Sequence, residues 1–235
     1  EPSRTPQPTP GSPSDEESDP DEPAAPARWE PAGHTARLVI ATGDQVGTLS
    51  YDASTDELVY RTDAVEVRTS AEGISRVLVA GTGATITIDL RGFPRNRDKV
   101  EVDVEGRHQR VHVVSHDEVE VSGPDTEPDQ TTAHALLIRS LLAILRIVAP
   151  QFEARIEVVG SRIVVTGTID LTETGADLDL TAGQVIVQDA TVTTEGNVNL
   201  TAIATDQRSA DALVALRDAA VFADEVQLTA TANSP

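Results

Sequence analysis

The chain has 235 residues and lacks cysteine and methionine altogether; Lys99 is its only lysine. Without cysteine there are no disulfides, no thiolate zinc sites and no cysteine nucleophile, although a cysteine-free chain is compatible with export. Aromatic residues amount to 3 %, so the Phe-, Tyr- and Trp-filled core of a compact enzyme is not available. What remains for a core is Val, Leu, Ile and Ala, which suit narrow, layered packing. Positive charge is scarce too: 18 basic residues stand against 39 acidic ones, for a net charge of −21. That sign repels phosphate backbones and anionic membrane surfaces, which argues against a nucleic-acid partner and against membrane insertion. It favours hydration and cations, so calcium or a high-salt habitat fit, and the replacement of lysine by arginine fits a GC-rich genome or halophily equally. The sequence shows no signal peptide. It begins at Glu1 and contains no Met, so it reads as a mature form or an excised piece.

Among the segments that are there, residues 1–33 read as a disordered acidic linker dense in Pro, Ser, Asp and Glu, with almost nothing to bury. Its run Asp15, Glu16, Glu17, Asp19, Asp21 and Glu22 is the one candidate calcium holder. It lacks the alternating ligand spacing and central glycine of a folded calcium loop. From 34 to 123 the pattern is strand after strand: "ARLVIATG", "GTLSYD", "ELVYRT", "AVEVRT", "ISRVLVAG", "ATITIDLRG", "KVEVDVEG", "RVHVV" and "EVEVSG". In "KVEVDVEG", Val100, Val102 and Val104 point one way and Glu101, Asp103 and Glu105 the other. This predicts a small all-β module of about nine strands with one wet face.

Turn formers fill Pro124–Thr132, and "TAHALLIRSLLAILRIVAP" follows. Asp129 or Thr131 at its start and Pro150 at its end predict a helix over about 131–149, too short to span a membrane. Residues 124–150 are therefore read as a linker and a helix capping what comes next. "SADALVALRDAAVF" (Ser209–Phe222) reads as a helix or a loop.

Residues 151–235 carry a repetition. Leu178-Asp179-Leu180-Thr181-Ala182 returns as Val198-Asn199-Leu200-Thr201-Ala202 after 20 residues, and as Val226-Gln227-Leu228-Thr229-Ala230 after 28 more. A unit of this length buries no core alone, but stacked units share one, each hydrogen-bonded to the next at about 4.8 Å. Aligning the copies puts Leu178, Val198 and Val226 in one column and Leu180, Leu200 and Leu228 in a second. Thr181, Thr201 and Thr229 make a third, with Asp179, Asn199 and Gln227 facing out. Inward aliphatic and outward polar columns predict rungs of a right-handed parallel β-helix, with about three short strands per rung. The helix at 131–149 would close its exposed strand edges.

The phrase "GADLDLTAG…IVQDATVTTEGNVNLTA" resembles the repeats of filamentous-haemagglutinin-like and related giant secreted adhesins, over about 155–235 and more weakly over 34–123. "ISRVLVAGTGATITIDLRG" is similar to β-rich segments of such proteins. The resemblance implies a β-solenoid, an exported parent chain much longer than this one and truncated here at its C-terminus, and an adhesive or structural role. The 28-residue spacing departs from a uniform repeat.

Chemistry is sparse. His108, His112 and His116 share parity, but in a strand they would stand about 13 Å apart, too far for one metal ion. They read as solvated surface histidines; His34 and His134 have no evident partner. Carboxylates at Glu101, Asp103, Glu105, Asp177 and Asp179 read as solubilising. A carbohydrate-active β-helix would need basic and aromatic groups beside them, and the repeat region offers only Arg155, Arg162, Arg208, Arg217 and Phe222. "AGTGAT" (Ala80–Thr85) runs into a strand and reads as a turn, and Asn199-Leu200-Thr201 fits a glycosylation sequon by chance. No catalytic residues and no cofactor are expected, calcium excepted.

The expectation is thus an all-β, non-catalytic piece of a large exported structural or adhesive protein, secreted or at the cell surface. Its partners would be a cell-surface glycan or protein and the neighbouring rungs. The alternatives are a polysaccharide-active β-helix enzyme and a self-assembling surface-layer or phage-type component.

Overall fold

A computed structural model describes residues 26–41, 43–93, 100–123, 135–140, 143–148, 155–204 and 212–232. Its strands are β1 (Ala27–Ala32), β2 (Thr35–Ile40), β3 (Val46–Asp52), β4 (Glu57–Thr62), β5 (Glu66–Ser70), β6 (Arg76–Thr82), β7 (Thr85–Asp89), β8 (Val100–Arg107), β9 (Arg110–Val114) and β10 (Glu118–Ser122). They continue as β11 (Ala135–Ser140), β12 (Ala143–Val148), β13 (Arg155–Val159), β14 (Arg162–Leu171), β15 (Asp177–Ala182), β16 (Gln184–Thr194), β17 (Asn197–Ile203), β18 (Leu213–Arg217), β19 (Ala220–Phe222) and β20 (Glu225–Thr231). Among the described residues the only helical element is a 3₁₀ turn at Leu90–Gly92, whose start Asp89 caps by accepting from the Arg91 backbone N–H. The nine strands legible between 34 and 123 are β2 to β10; β1 lies within the stretch read as a disordered linker, where Ala27 is buried and the strand pairs with β2.

The strands make two sheets. The first runs β1-β2-β6-β8-β12-β11-β10-β14-β16-β18, with β19 also beside β16; the second runs β20-β17-β15-β13-β9-β7-β3-β4-β5. The chain passes back and forth between them, and successive visits lie parallel, as in β3-β7-β9-β13-β15-β17-β20. Besides the antiparallel β1-β2 pair at the edge, two antiparallel excursions interrupt this rule. One is the meander β3-β4-β5, and the other is β10-β11-β12, inserted into the first sheet between β8 and β14.

Strict alternation explains which residues meet between the sheets. Val100, Val102 and Val104 are buried, as are Ile86 and Ile88 on β7 and Val111 and Val113 on β9. In the repeat region the three copies stack in the register that their common phrase implies. Leu178 pairs with Val198 and Val198 with Val226; Leu180 pairs with Leu200 and Leu200 with Leu228. Leu178, Leu180, Val198 and Leu200 are fully buried and form one aliphatic core with Val185, Val187 and Val192 of the first sheet.

Left-handed residues interrupt the long strands of the first sheet. β14 bends at Gly167 and β16 at Asp189, both in the left-handed region (φ 71° and 49°), and Asp218 (φ 47°) separates β18 from β19. Glycine enters that region freely, and aspartate more readily than most residues. The pairings Gln188 with Arg217 and Thr191 with Ala220 bring Asp189 level with Asp218, so the bends are stacked.

Among the described residues of 131–149 the expected helix is absent. Its described residues are β11 and β12, an antiparallel pair in which Leu136, Ile138, Leu145 and Ile147 face inward. Apolar residues on both faces, Leu137 among them, hid the two-residue period that would have marked strands. The segment therefore extends the first sheet instead of closing its end. In Ser209–Phe222 the described residues are the strands β18 and β19, neither helix nor plain loop.

The two ends of the sheets differ. At one, β1 and β5 lie across from each other, and the Trp29 indole Nε1–H donates to the Val67 carbonyl at 3.1 Å, tying the sheets together. Pro31 and the ion pairs of Glu30 with Arg28 and Arg37 blunt this edge. At the other end, β18, β19 and β20 expose Leu213, Leu216, Phe222, Val226 and Leu228.

Near the C-terminal ends of the parallel neighbours β6 and β8, Gly81 and Gly106 are partners. Gly106 has φ 108°, and the Gly81 carbonyl oxygen fills the place a Cβ would take.

Candidate functional site

The second sheet presents its outward side chains in columns, because parallel in-register strands repeat each position one rung on. The central column reads Thr48, Thr87, His112, Glu157, Asp179, Asn199, Gln227. Beside it runs Thr85, Arg110, Arg155, Asp177, Asn197, Glu225, and on the other flank Val114, Val159, Thr181, Thr201, Thr229.

Charges across the first two columns are knitted together. Arg110 pairs with Glu157, and Arg155 pairs with both Glu157 (3.2 Å) and Asp179. The other oxygen of Asp179 accepts from the Asn199 side-chain amide at 2.6 Å, and Asp177 accepts from the Asn197 backbone N–H at 2.8 Å. A groove of about 470 Å³ lies over this network, lined among others by His112, Arg155, Glu157, Asn199, Thr201 and Gln227.

A second groove, about 590 Å³, lies over β3 and β4 on the same sheet and is lined among others by Thr48, Asp52, Arg61, Arg68 and Asp89. Arg68 is its hub, contacting Glu66 at 2.6 Å, Glu57 at 2.9 Å and Asp52 at 3.2 Å. The Ser54 hydroxyl and backbone N–H, assisted by Arg68, hold the Asp52 carboxyl down at about 2. Arg68 and Arg61 likewise lower Glu66.

Neither groove joins a nucleophile to an oriented base. Glu157 and Asp179 are engaged by guanidinium and amide donors, an arrangement for holding position, not for moving protons. Of the lining residues only Tyr51 is aromatic, and its ring packs on Phe93 with centroids 5.7 Å apart. What the face offers is a regular array of hydroxyl, amide and ion-paired groups, suited to hydrogen bonding with an extended polar partner.

The residues singled out in the sequence scatter. Asp15, Glu16, Glu17, Asp19, Asp21 and Glu22 lie outside the described residues, as do His134 and Arg208; among the described residues no group of three or more His, Asp or Glu is placed to hold a metal. The three same-parity histidines do not share a face. His108 sits in the turn between β8 and β9, His112 is in the central column, and His116 is exposed beyond β9. His108 is not a surface histidine; it is buried and its Nε2–H donates to the Glu105 carbonyl at 3.0 Å. His34 has a partner after all, its Nδ1–H donating to the Gly73 carbonyl at 2.8 Å. Asp103 faces outward as expected, yet it is only 2 % exposed because Arg76 covers it, while Glu105 remains open. Ala80–Thr85 is the passage from β6 to β7, a turn as read. Arg162 pairs with Glu118 at 2.8 Å on the first sheet. The network around Arg155 was missed as a unit. Aligning "ARIEVV" with "ADLDLTA" at 22 residues, the Arg155–Asp177 offset, would have revealed it.

Burial lowers the His108 pKa, against the opposing pull of the Glu105 and Ala84 carbonyls. The folded state thus binds this proton less readily than the unfolded chain does. The stability this provides is complete above the unfolded value of about 6.5 and is lost as pH falls toward the folded one. Urea titrations between pH 7.5 and 5 are expected to show wild-type stability falling on the acid side. His108→Gln should flatten that part of the profile; an unchanged slope would remove His108 from the account.

No protein-family model matches the chain, and neither the curated proteins nor the solved structures contain a match. No helix among the described residues is long and apolar enough to cross a membrane.

Proposed function

We propose that the chain is a β-solenoid segment of an exported structural or adhesive protein, non-catalytic, acting from the cell surface or the extracellular medium. The observation that carries this reading is the in-register stacking of outward polar columns over a continuous aliphatic core. Such a body is long, stiff and uniform on its outside, and it holds a binding surface at a distance instead of enclosing a substrate. The ion-paired second sheet is the face proposed to meet a glycan or protein partner. The acidic surface keeps an extended β-structure hydrated and discourages unspecific contacts.

The enzymatic alternative draws no support from the grooves, since their carboxylates are held by arginines and aromatic platforms for sugar rings are lacking. An immunoblot of fractionated source cells, with antibody to residues 34–235, tests the proposal. Signal at the cell surface or in the medium is the expected result. A soluble cytoplasmic band near 24.9 kDa would overturn it.

A further inference from the structure

The two grooves on the second sheet are collinear. The one over β3 and β4 is lined by Thr48 of the central column and by Asp89, which pairs with Val114 of the flank. The other is lined by His112 of the same column and by Val159, Thr181 and Thr201 of the same flank. Along these columns only Thr87 and Val114 lie between the grooves. Both are half-buried and no larger than the Thr and Val that floor the grooves themselves, so they do not divide the path. The grooves thus make one furrow across the eight strands from β4 to β20, roughly 34 Å at the spacing of paired strands.

A ligand filling this furrow runs across the strands and meets a repeat of about 4.8 Å. An extended peptide does not keep that step, since its same-side side chains recur about every 6.6 Å. A β-1,4-linked pyranose chain does. Equatorial bonds at both ends of each ring keep it straight and advance it by about one strand spacing per sugar, whereas axial linkages coil away from a straight path. Charge narrows the choice further. Arg61, Arg68, Arg110 and Arg155 along the furrow each hold a carboxylate already, and the chain carries a net charge of −21. A uronate or sulfated chain finds no free cation there and is repelled at long range. The hydroxyls of Thr181 and Thr201 and the amide of Gln227 suit a neutral partner. The lining aromatic, Tyr51, packs on Phe93, so each sugar contributes little and affinity must accumulate along the chain.

We infer that the furrow binds a straight, neutral β-1,4-linked glycan lying along the axis, about one ring per strand. The inference rests on the reading of the second sheet as the partner-binding face. Its test uses the purified chain and is indifferent to where the protein resides, so it and the immunoblot fail separately. Affinity electrophoresis through gels containing hydroxyethylcellulose, arabinoxylan or glucomannan is expected to show retardation by at least one of them, and none by polygalacturonate. Titration with oligomers of the retarding glycan should show affinity rising severalfold per ring and levelling off at about seven rings. Thr87→Lys places a long side chain between the grooves and should weaken polymer binding roughly tenfold or more. Gln188→Lys makes the same charge change on the first sheet and should have no effect. Gln227→Ala, at an exposed end of the furrow, should bring the plateau to shorter oligomers. Absence of retardation by all three glycans, equal retardation by polygalacturonate, or affinity independent of length would overturn the inference. So would a Thr87→Lys chain that binds as well as Gln188→Lys. Retardation by gelatin and by none of the glycans would assign the furrow to a polypeptide instead.

Discussion

Leu200→Asp is expected to abolish cooperative folding of the repeat region. Leu200 is 1 % exposed, and its neighbours in the column are Leu180 above and Leu228 below. Removing the aliphatic side chain costs about 2–5 kcal/mol, as truncations of buried leucine do. The carboxylate adds the penalty of an unpaired charge in a layer that contains no cation. Together these rival the whole stability of an ordinary domain, about 5–15 kcal/mol. Asn199→Asp, one residue away on the outer face, replaces the amide donor to Asp179 by a second carboxylate and should cost about 1 kcal/mol. Urea unfolding followed by circular dichroism separates the two. Equal damage from both would mean that the inward and outward faces are assigned wrongly.

Gly106→Ala is the second large effect. Two penalties coincide there, a positive φ that L side chains rarely adopt and a methyl group that would meet the Gly81 carbonyl well inside van der Waals contact. Strained backbone costs about 1–3 kcal/mol and overpacking a similar amount, so a loss of about 3–5 kcal/mol is expected in thermal or urea melts. Neither neighbour yields cheaply, because the obstruction is backbone in a paired strand and His108 and Ile40 pack against Gly81. Gly175→Ala is the matched control. Gly175 has φ 58° but open space where the methyl would stand, so only the conformational part remains, about 1 kcal/mol. If Gly106→Ala were as mild as Gly175→Ala, the close approach of β6 and β8 at this corner would be wrong.

Much of the architecture was written in alternation. Val100, Val102 and Val104 declared one face of β8, and the phrase ending in Leu-Thr-Ala declared both the stacking of β15, β17 and β20 and its register. A two-residue period that sets a buried face also fixes pairing, because a slip by one residue would turn Leu200 outward and Asn199 inward. The pattern failed where both faces of a strand were apolar. In "ALLIRS" and "AILRIV" the outward Leu137 masked the alternation, and the intervening Leu141-Leu142 carries no turn former, so the pair read as one helix. Topology was the other gap. Nothing local announces that β12 would insert beside β8, since that pairing joins Ala143 to Val100 across a long stretch of chain. The outward network was hidden for a related reason. Arg155, Glu157, Asp179 and Asn199 are unremarkable singly and become a unit only when β13 is laid against β15. His108 misled because parity was carried through a turn, where it no longer specifies a face.

Trp29 is the only tryptophan in the chain, and its indole joins β1 to β5 at the closed end. Intrinsic tryptophan emission is therefore a reporter confined to one extremity of the molecule, blind to β20, eight strands from β5 on the second sheet. In a body whose layers touch only their neighbours, the two extremities are free to melt at different denaturant concentrations. A fluorescence midpoint measures the lid, and a circular dichroism midpoint measures the stack. The gap between those two midpoints is a direct optical reading of how far cooperativity travels along the axis.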